Sequence, residues 1–244
     1  MRSPERAALV LLLAALVLVA LPGAVQAQEL TLDLGDDTSL TTRTLQLIAL
    51  ITVLSLAPGL AIMITCFPFV VTVLSILRQA IGLQQSPPNM LIVSLALFLT
   101  YFVMAPVFEE AYAVGIGPLI DGTLPPQQAL SAAYGPFRGF MLNRVEAETL
   151  QSLAELRGLT DIADPDPSIL IPAFMLSEVE RAFQIGFLIF LPFLIIDLVV
   201  AAILMSMGMM MVPPVIVSLP FKLAFFVVAD GWALVTGALV RSYF

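Results

Sequence analysis

Charged residues punctuate this chain so sparsely that the runs between them decide its elements. Residues 44–77, between Arg43 and Arg78, carry no charge, and neither do residues 79–108, between Arg78 and Glu109. Each run exceeds the roughly 20 apolar residues that a helix needs to cross a bilayer. Pro58-Gly59 and Pro68 predict kinks or breaks in the first, because proline removes a helix hydrogen bond and collides with the preceding turn. In the second, Gln84-Gln85-Ser86-Pro87-Pro88-Asn89 predicts a turn, followed by a span over 90–107. Residues 45–108 therefore read as a first pair of apolar helices joined by a turn at 84–89. The implied path runs outside, in, out, with Arg78 on the inner side.

Upstream, residues 1–27 have the layout of a cleavable signal peptide. Arg2 and Arg6 precede an apolar run at 7–20, the breaker Pro22-Gly23 and the small residues of Val25-Gln26-Ala27. The competing reading is an uncleaved anchor, for which this apolar core is short. Residues 28–44 follow as an acidic extracytoplasmic segment carrying Glu29, Asp33, Asp36 and Asp37.

Residues 109–184 form the sizeable polar region, an acidic helical loop expected outside the cytoplasm. From Glu109 to Arg181 it sets eleven acidic residues against four arginines. Turn signals stand at Gly117-Pro118, Pro125-Pro126 and Asp164-Pro165-Asp166-Pro167. Positions 127–157 predict one or two helices, with Phe137, Phe140, Met141, Leu150 and Leu153 as apolar positions. So few apolar residues do not make an independent domain, and the region is expected to pack on neighbouring subunits. Glu178 and Arg181 have i, i+3 spacing, Ser177 reads as the cap of a solvated helix start, and the same charges could set register between subunits.

Residues 185–244 read as a C-terminal apolar hairpin turned at 207–214 by Met207-Gly208-Met209-Met210-Met211-Val212-Pro213-Pro214. Pro192, Asp197, Lys222 and Asp230 interrupt its limbs, which makes them poor conventional spans. Such residues are tolerated at membrane depth where protein or a water-filled cavity surrounds them. A close oligomer around a channel meets that demand. Leu191-Pro192-Phe193 recurs as Leu219-Pro220-Phe221, a faint hint of two similar halves.

Composition agrees with a bilayer protein: 60% of residues are hydrophobic and 11% charged, against about half and a quarter in soluble domains. The net charge of −8 arises mostly in the acidic region, and the ten basic residues form no cluster, so nucleic acid is not an expected partner. Without histidine there is no His-based triad or proton shuttle. The single cysteine, Cys66, can form no intrachain disulfide and reads as an apolar core thiol. No phosphate loop, metal-spaced cluster or nucleophile–base pair is evident, so neither a cofactor nor enzymatic activity is expected.

Chemistry that remains falls in the hairpin. Unbranched, polarizable methionines could line a deformable constriction or could simply end a helix. Asp197 and Asp230 could pair with Lys222 or Arg181. In a transporter they would carry protons, and in an intramembrane protease they would share one. The sequence Ala229-Asp230-Gly231-Trp232 lacks the glycine-flanked pattern of such proteases.

Pro172-Ala173-Phe174, Ser177-Glu178, Ala182-Phe183-Gln184-Ile185-Gly186-Phe187, the run Leu191–Val200, the methionine turn, Leu219-Pro220-Phe221-Lys222-Leu223 and Asp230-Gly231-Trp232 resemble the FliP family. So do Arg78-Gln79-Ala80-Ile81-Gly82, Pro87-Pro88-Asn89 and Leu95–Thr100. This is a family of flagellar type III export-gate proteins, and the resemblance covers nearly all of the chain after residue 27. It implies an all-α integral membrane protein whose kinked hairpins assemble, in five copies, into a ring with FliQ and FliR subunits. Unfolded flagellar subunits would pass through it across the bacterial inner membrane, with much of the complex on the periplasmic side. Met209, Met210 and Met211 would form the pore gasket, with Gly208, Pro213 and Pro214 making its turn. Glu178, Asp197, Lys222 and Asp230 are the expected intersubunit or buried polar contacts. Three positions depart from the usual family pattern: Phe69 and Glu180, where a basic residue is usual, and Val145-Glu146-Ala147. Thr65-Cys66-Phe67 and Gly82-Leu83-Gln84-Gln85 look more like the virulence-injectisome paralogues, which supply the alternative reading.

Overall fold

The computed structural model describes residues 40–83, 87–159, 164–209 and 211–244. The expected signal peptide, nearly all of the 28–44 segment, Gln84-Gln85-Ser86 and Met210 lie outside the described residues. Among those described, every assigned element is helical: α1 (Leu40–Met63), α2 (Phe67–Ile81), α3 (Asn89–Ala111), a π-helical turn (Tyr112–Ile116) and α4 (Gly117–Ile120). There follow α5 (Pro126–Arg144), α6 (Ala147–Leu156), α7 (Pro167–Ser206), α8 (Pro214–Val228) and α9 (Gly231–Arg241). The chain divides into a unit ending at Thr52 and a second unit, Val53–Phe244. In the first, the described residues are the opening turns of α1, whose Leu45, Leu47, Ile48, Leu50 and Ile51 are exposed.

Three described stretches are long and apolar enough to cross a membrane: 44–63, 89–120 and 167–206. α8 and α9 together pass the same test, bent by 62° at Asp230. The first apolar run is two helices rather than one. Pro58 stays inside α1, and the break falls instead at residues 64–66, where the Thr65 hydroxyl donates to the Ile62 carbonyl at 3.0 Å. Pro68 opens α2 in its first turn, where a missing N–H leaves no helix bond unmade.

α2 is the core of the second unit. Phe69, Val70, Val73, Leu74, Leu77 and Ala80 are buried at helical spacing, and Cys66 beside them is the apolar core thiol the sequence suggested. Cys66, Phe69, Val70, Val73 and Leu74 meet Ala96, Leu99, Val103 and Met104 of α3 and Ala182 of α7, while Leu77 and Ala80 meet Phe193 of α7 and Phe226 of α8. Gly186 lets α7 come close, since a Cβ there would lie 2.4 Å from the Ile76 side chain.

The polar region holds two helices, α5 and α6, where one or two were expected. It folds back on its own chain: Met141 and Leu150 pack with Ile169, Leu170, Ala173 and Phe174 of α7. That helix begins at Pro167, well before the expected hairpin boundary, with the Asp166 carboxylate capping it through the Ser168 N–H at 2.8 Å. It then runs through both Pro172 and Pro192 for 40 residues. At 1.5 Å per residue it is about 60 Å long, twice a typical hydrocarbon core of about 30 Å. Pro192 and Pro220, the prolines of the repeated Leu-Pro-Phe, are both interior to helices, one in each limb of the hairpin.

Candidate functional site

The turn between α7 and α8 closes by a Schellman arrangement. Gly208 takes φ +74°, its N–H donates to the Met205 carbonyl at 3.1 Å, and the Met209 N–H reaches the Leu204 carbonyl at 3.0 Å. A glycine suits that left-handed position because a Cβ would be strained there. Past the turn, Pro213 precedes α8 and Pro214 occupies its first turn. Met207 and Met209 are exposed and Met211 is 97% exposed. The thioethers thus stand at the tip of a hairpin, with an open, wholly apolar groove lined by Ile195, Val199, Ile203, Val217 and Phe221 between its limbs.

Lower on the same limbs lies the Asp197–Lys222 pair. Lys222 is 3% exposed. Its ammonium donates to Asp197 Oδ2 at 2.6 Å and to the Ala80 carbonyl at 3.1 Å, near the C-terminus of α2. A cation is favoured at a helix C-terminus, where the dipole is negative. The Ser218 hydroxyl lies 2.5 Å from Asp197 Oδ1. One lysine therefore joins α2, α7 and α8.

Glu178 is also enclosed, at 0% exposure, so the solvated helix start expected around it is not found. It sits more than two turns inside α7, where packing by α2, α5 and the chain's end replaces solvent. Arg144 Nε donates to its Oε1 at 3.0 Å, and Arg181 Nη1 lies 3.6 Å from the same oxygen. The Tyr243 hydroxyl donates to Oε2. Arg144 Nη1 reaches the Ser242 carbonyl at 2.8 Å, and the guanidinium lies 4.0 Å from the Tyr243 ring centroid. Arg181 continues the set to Glu146 at 4.0 Å. Ser177 does not cap α7: it accepts the Glu146 N–H at 3.0 Å and so pins the start of α6. Burial, followed by the Glu178 charge, pushes the Tyr243 phenol well above its usual range, so it stays a donor.

Asp230 is not brought into either cluster. It is exposed at the bend between α8 and α9, in the left-handed region at φ +50°, and its carboxylate makes no cap bond. Aspartate tolerates that backbone better than most residues. The two carboxylates thus occupy unlike settings, one paired to a lysine and one at an exposed corner. Among the described residues there is no group of three metal-ligating side chains.

Arg144, Ser218 and Tyr243 escaped the sequence reading. Ser218 had a usable signal, lying four residues before Lys222 on one helix face. Arg144 and Tyr243 had none, because 98 residues separate Arg144 from Ser242.

The FliP family model matches residues 50–239. The chain belongs to the FliP family. It is 52% identical to flagellar biosynthetic protein FliP of Caulobacter vibrioides over 243 residues, covering 98% of this chain and 91% of that protein. The FliP of Agrobacterium fabrum is 47% identical, covering 93% and 96% of the two chains. That of Bacillus subtilis is 45% identical, covering 82% and 92%. For this family member, the match spans both charge clusters up to residue 239, the methionine turn and the Asp230 bend.

Proposed function

We propose that this chain is a core channel subunit of a flagellar type III protein export gate, passing unfolded flagellar subunits across the inner membrane. The observation that carries the reading is the methionine turn: exposed thioethers on a hairpin tip, in a member of the FliP family. Apolar side chains so exposed need a cover, and neighbouring copies of the same turn around an axis supply one. Methionine suits such a seal because its thioether side chain repacks around different passing chains. In this reading Met209, Met210 and Met211 form the gasket, Gly208, Pro213 and Pro214 fix its turn, and FliQ and FliR subunits complete a five-copy ring. The remaining exposed apolar faces of α1, α3 and α7 meet lipid or neighbouring subunits, and residues 1–27 direct insertion before removal.

Neither a proton-carrying transporter nor an aspartyl protease is favoured, since Asp197 is committed to Lys222 and Asp230 stands apart at the bend. The flagellar branch is preferred to the injectisome because the relatives above carry flagellar names. To test the gate, Met209, Met210 and Met211 are replaced together by alanine. The complex is expected to assemble at normal size while the closed pore leaks ions. Unchanged conductance in assembled complexes would refute the gasket.

A further inference from the structure

The end of the chain turns into the charge cluster of another helix. α9 closes at Arg241, and Tyr243 then enters a pocket made by α2, α5 and α7. Its ring stacks on Phe140 with centroids 5.9 Å apart and meets the Phe69 edge-to-face at 5.6 Å. The Arg144 guanidinium covers it at 4.0 Å. The division of labour at Glu178 is uneven. Both arginines address Oε1, whereas among the described residues Oε2 receives the Tyr243 hydroxyl alone. A carboxylate at 0% exposure with one oxygen left bare is strongly disfavoured.

We propose that Tyr243 is a positioning residue: through its hydroxyl on Glu178 Oε2 it fastens the α8–α9 limb, and with it the far side of the methionine turn, to α2, α5 and α7. Ser218 and Lys222 fasten α8 before the bend at Asp230. Past it, the Ser242 carbonyl on Arg144 and the Tyr243 hydroxyl on Glu178 fasten the limb's end, and of these two only the hydroxyl serves the buried carboxylate. The consequence for the pore rests on the gate reading above; the fastening itself does not.

The test uses the full-length protein, purified as its detergent complex, and hydrogen–deuterium exchange in peptides of α9. Tyr243→Phe keeps the ring and removes the donor, and exchange over residues 231–241 is expected to accelerate about tenfold. No acceleration overturns the proposal. In a Glu178→Gln background the same change is expected to add less than about threefold, because the charge it served is gone. A full effect there would mean that the hydroxyl acts through something other than the Glu178 charge, and would equally overturn it. Should Tyr243→Phe alone fail to accumulate, recovery in the Glu178→Gln background supports the proposal and loss in both backgrounds overturns it. Ion conductance of the same variants reports separately on the gate: accelerated exchange without a leak upholds the fastening and counts against the methionine seal.

Discussion

At Gly115 a Cβ would lie 2.6 Å from the Ala129 carbonyl oxygen and 2.6 Å from the Ala133 side chain. Backbone cannot step aside as a flexible side chain can, so the π-helical turn and α5 touch only because this residue is glycine. Gly115→Ala should destabilise by about 1–3 kcal/mol in thermal unfolding of the detergent complex. Gly139→Ala, on the open side of α5, should be neutral or slightly stabilising, since alanine is the better helix former. Nothing in the sequence distinguishes these two glycines, because the distinction is made by residues fourteen to eighteen positions away from Gly115. Cys66 was easier to read, standing in an apolar run. Burial pushes its thiol up to about 12, so maleimide at pH 8 should leave it unmodified until the chain is unfolded. Above about pH 8.5 an unfolded chain releases that proton and the native one does not, so stability should fall between there and about pH 12, and the raised Tyr243 phenol adds to the loss. An alkaline unfolding curve flat across that window would contradict both.

Helices were legible by type and less so by their ends. Charge-free runs located α1 and α3, because the period and length of an apolar run are local properties. The hairpin limbs, interrupted by Asp197, Lys222 and Asp230, read instead as poor spans, and the first was begun too late. Proline misled at Pro58 and Pro192, both interior to helices. A single lost hydrogen bond, costing about 3 kcal/mol in an exposed helix, is offset in α7 by buried residues on either side of each proline. The described side chains of α1 are exposed, and packing does not account for Pro58. At Pro68, Pro126, Pro167 and Pro214 proline marked true starts, each in the first turn of a helix. The Asp197–Lys222 pair is the strongest polar tie between α7 and α8. Lys222→Met should cost about 3 kcal/mol, somewhat less than a fully enclosed pair because the Asp197 side chain is 27% exposed. Adding Asp197→Asn should recover part of that loss, and a double variant no more stable than the single would show that the pair contributes nothing beyond packing.

The whole molecule has more exposed apolar surface than a solitary soluble chain would keep, from Leu45 on α1 through Phe98 and Phe102 on α3 to Val228 on α8. Bilayer and neighbouring copies are the covers that the account requires. Polar groups follow the complementary rule, gathered at Glu178 and at Lys222, where they tie helices far apart in sequence. This is why the resemblance to the FliP family was readable from contiguous motifs while the Arg144–Glu178–Tyr243 cluster was not. The most direct test of the central claim is the mass of the detergent-purified protein, alone and co-expressed with FliQ and FliR subunits from a close relative. A ring-sized species that grows when those subunits are present is the predicted result. A monomer or dimer that ignores them would contradict an export-gate subunit.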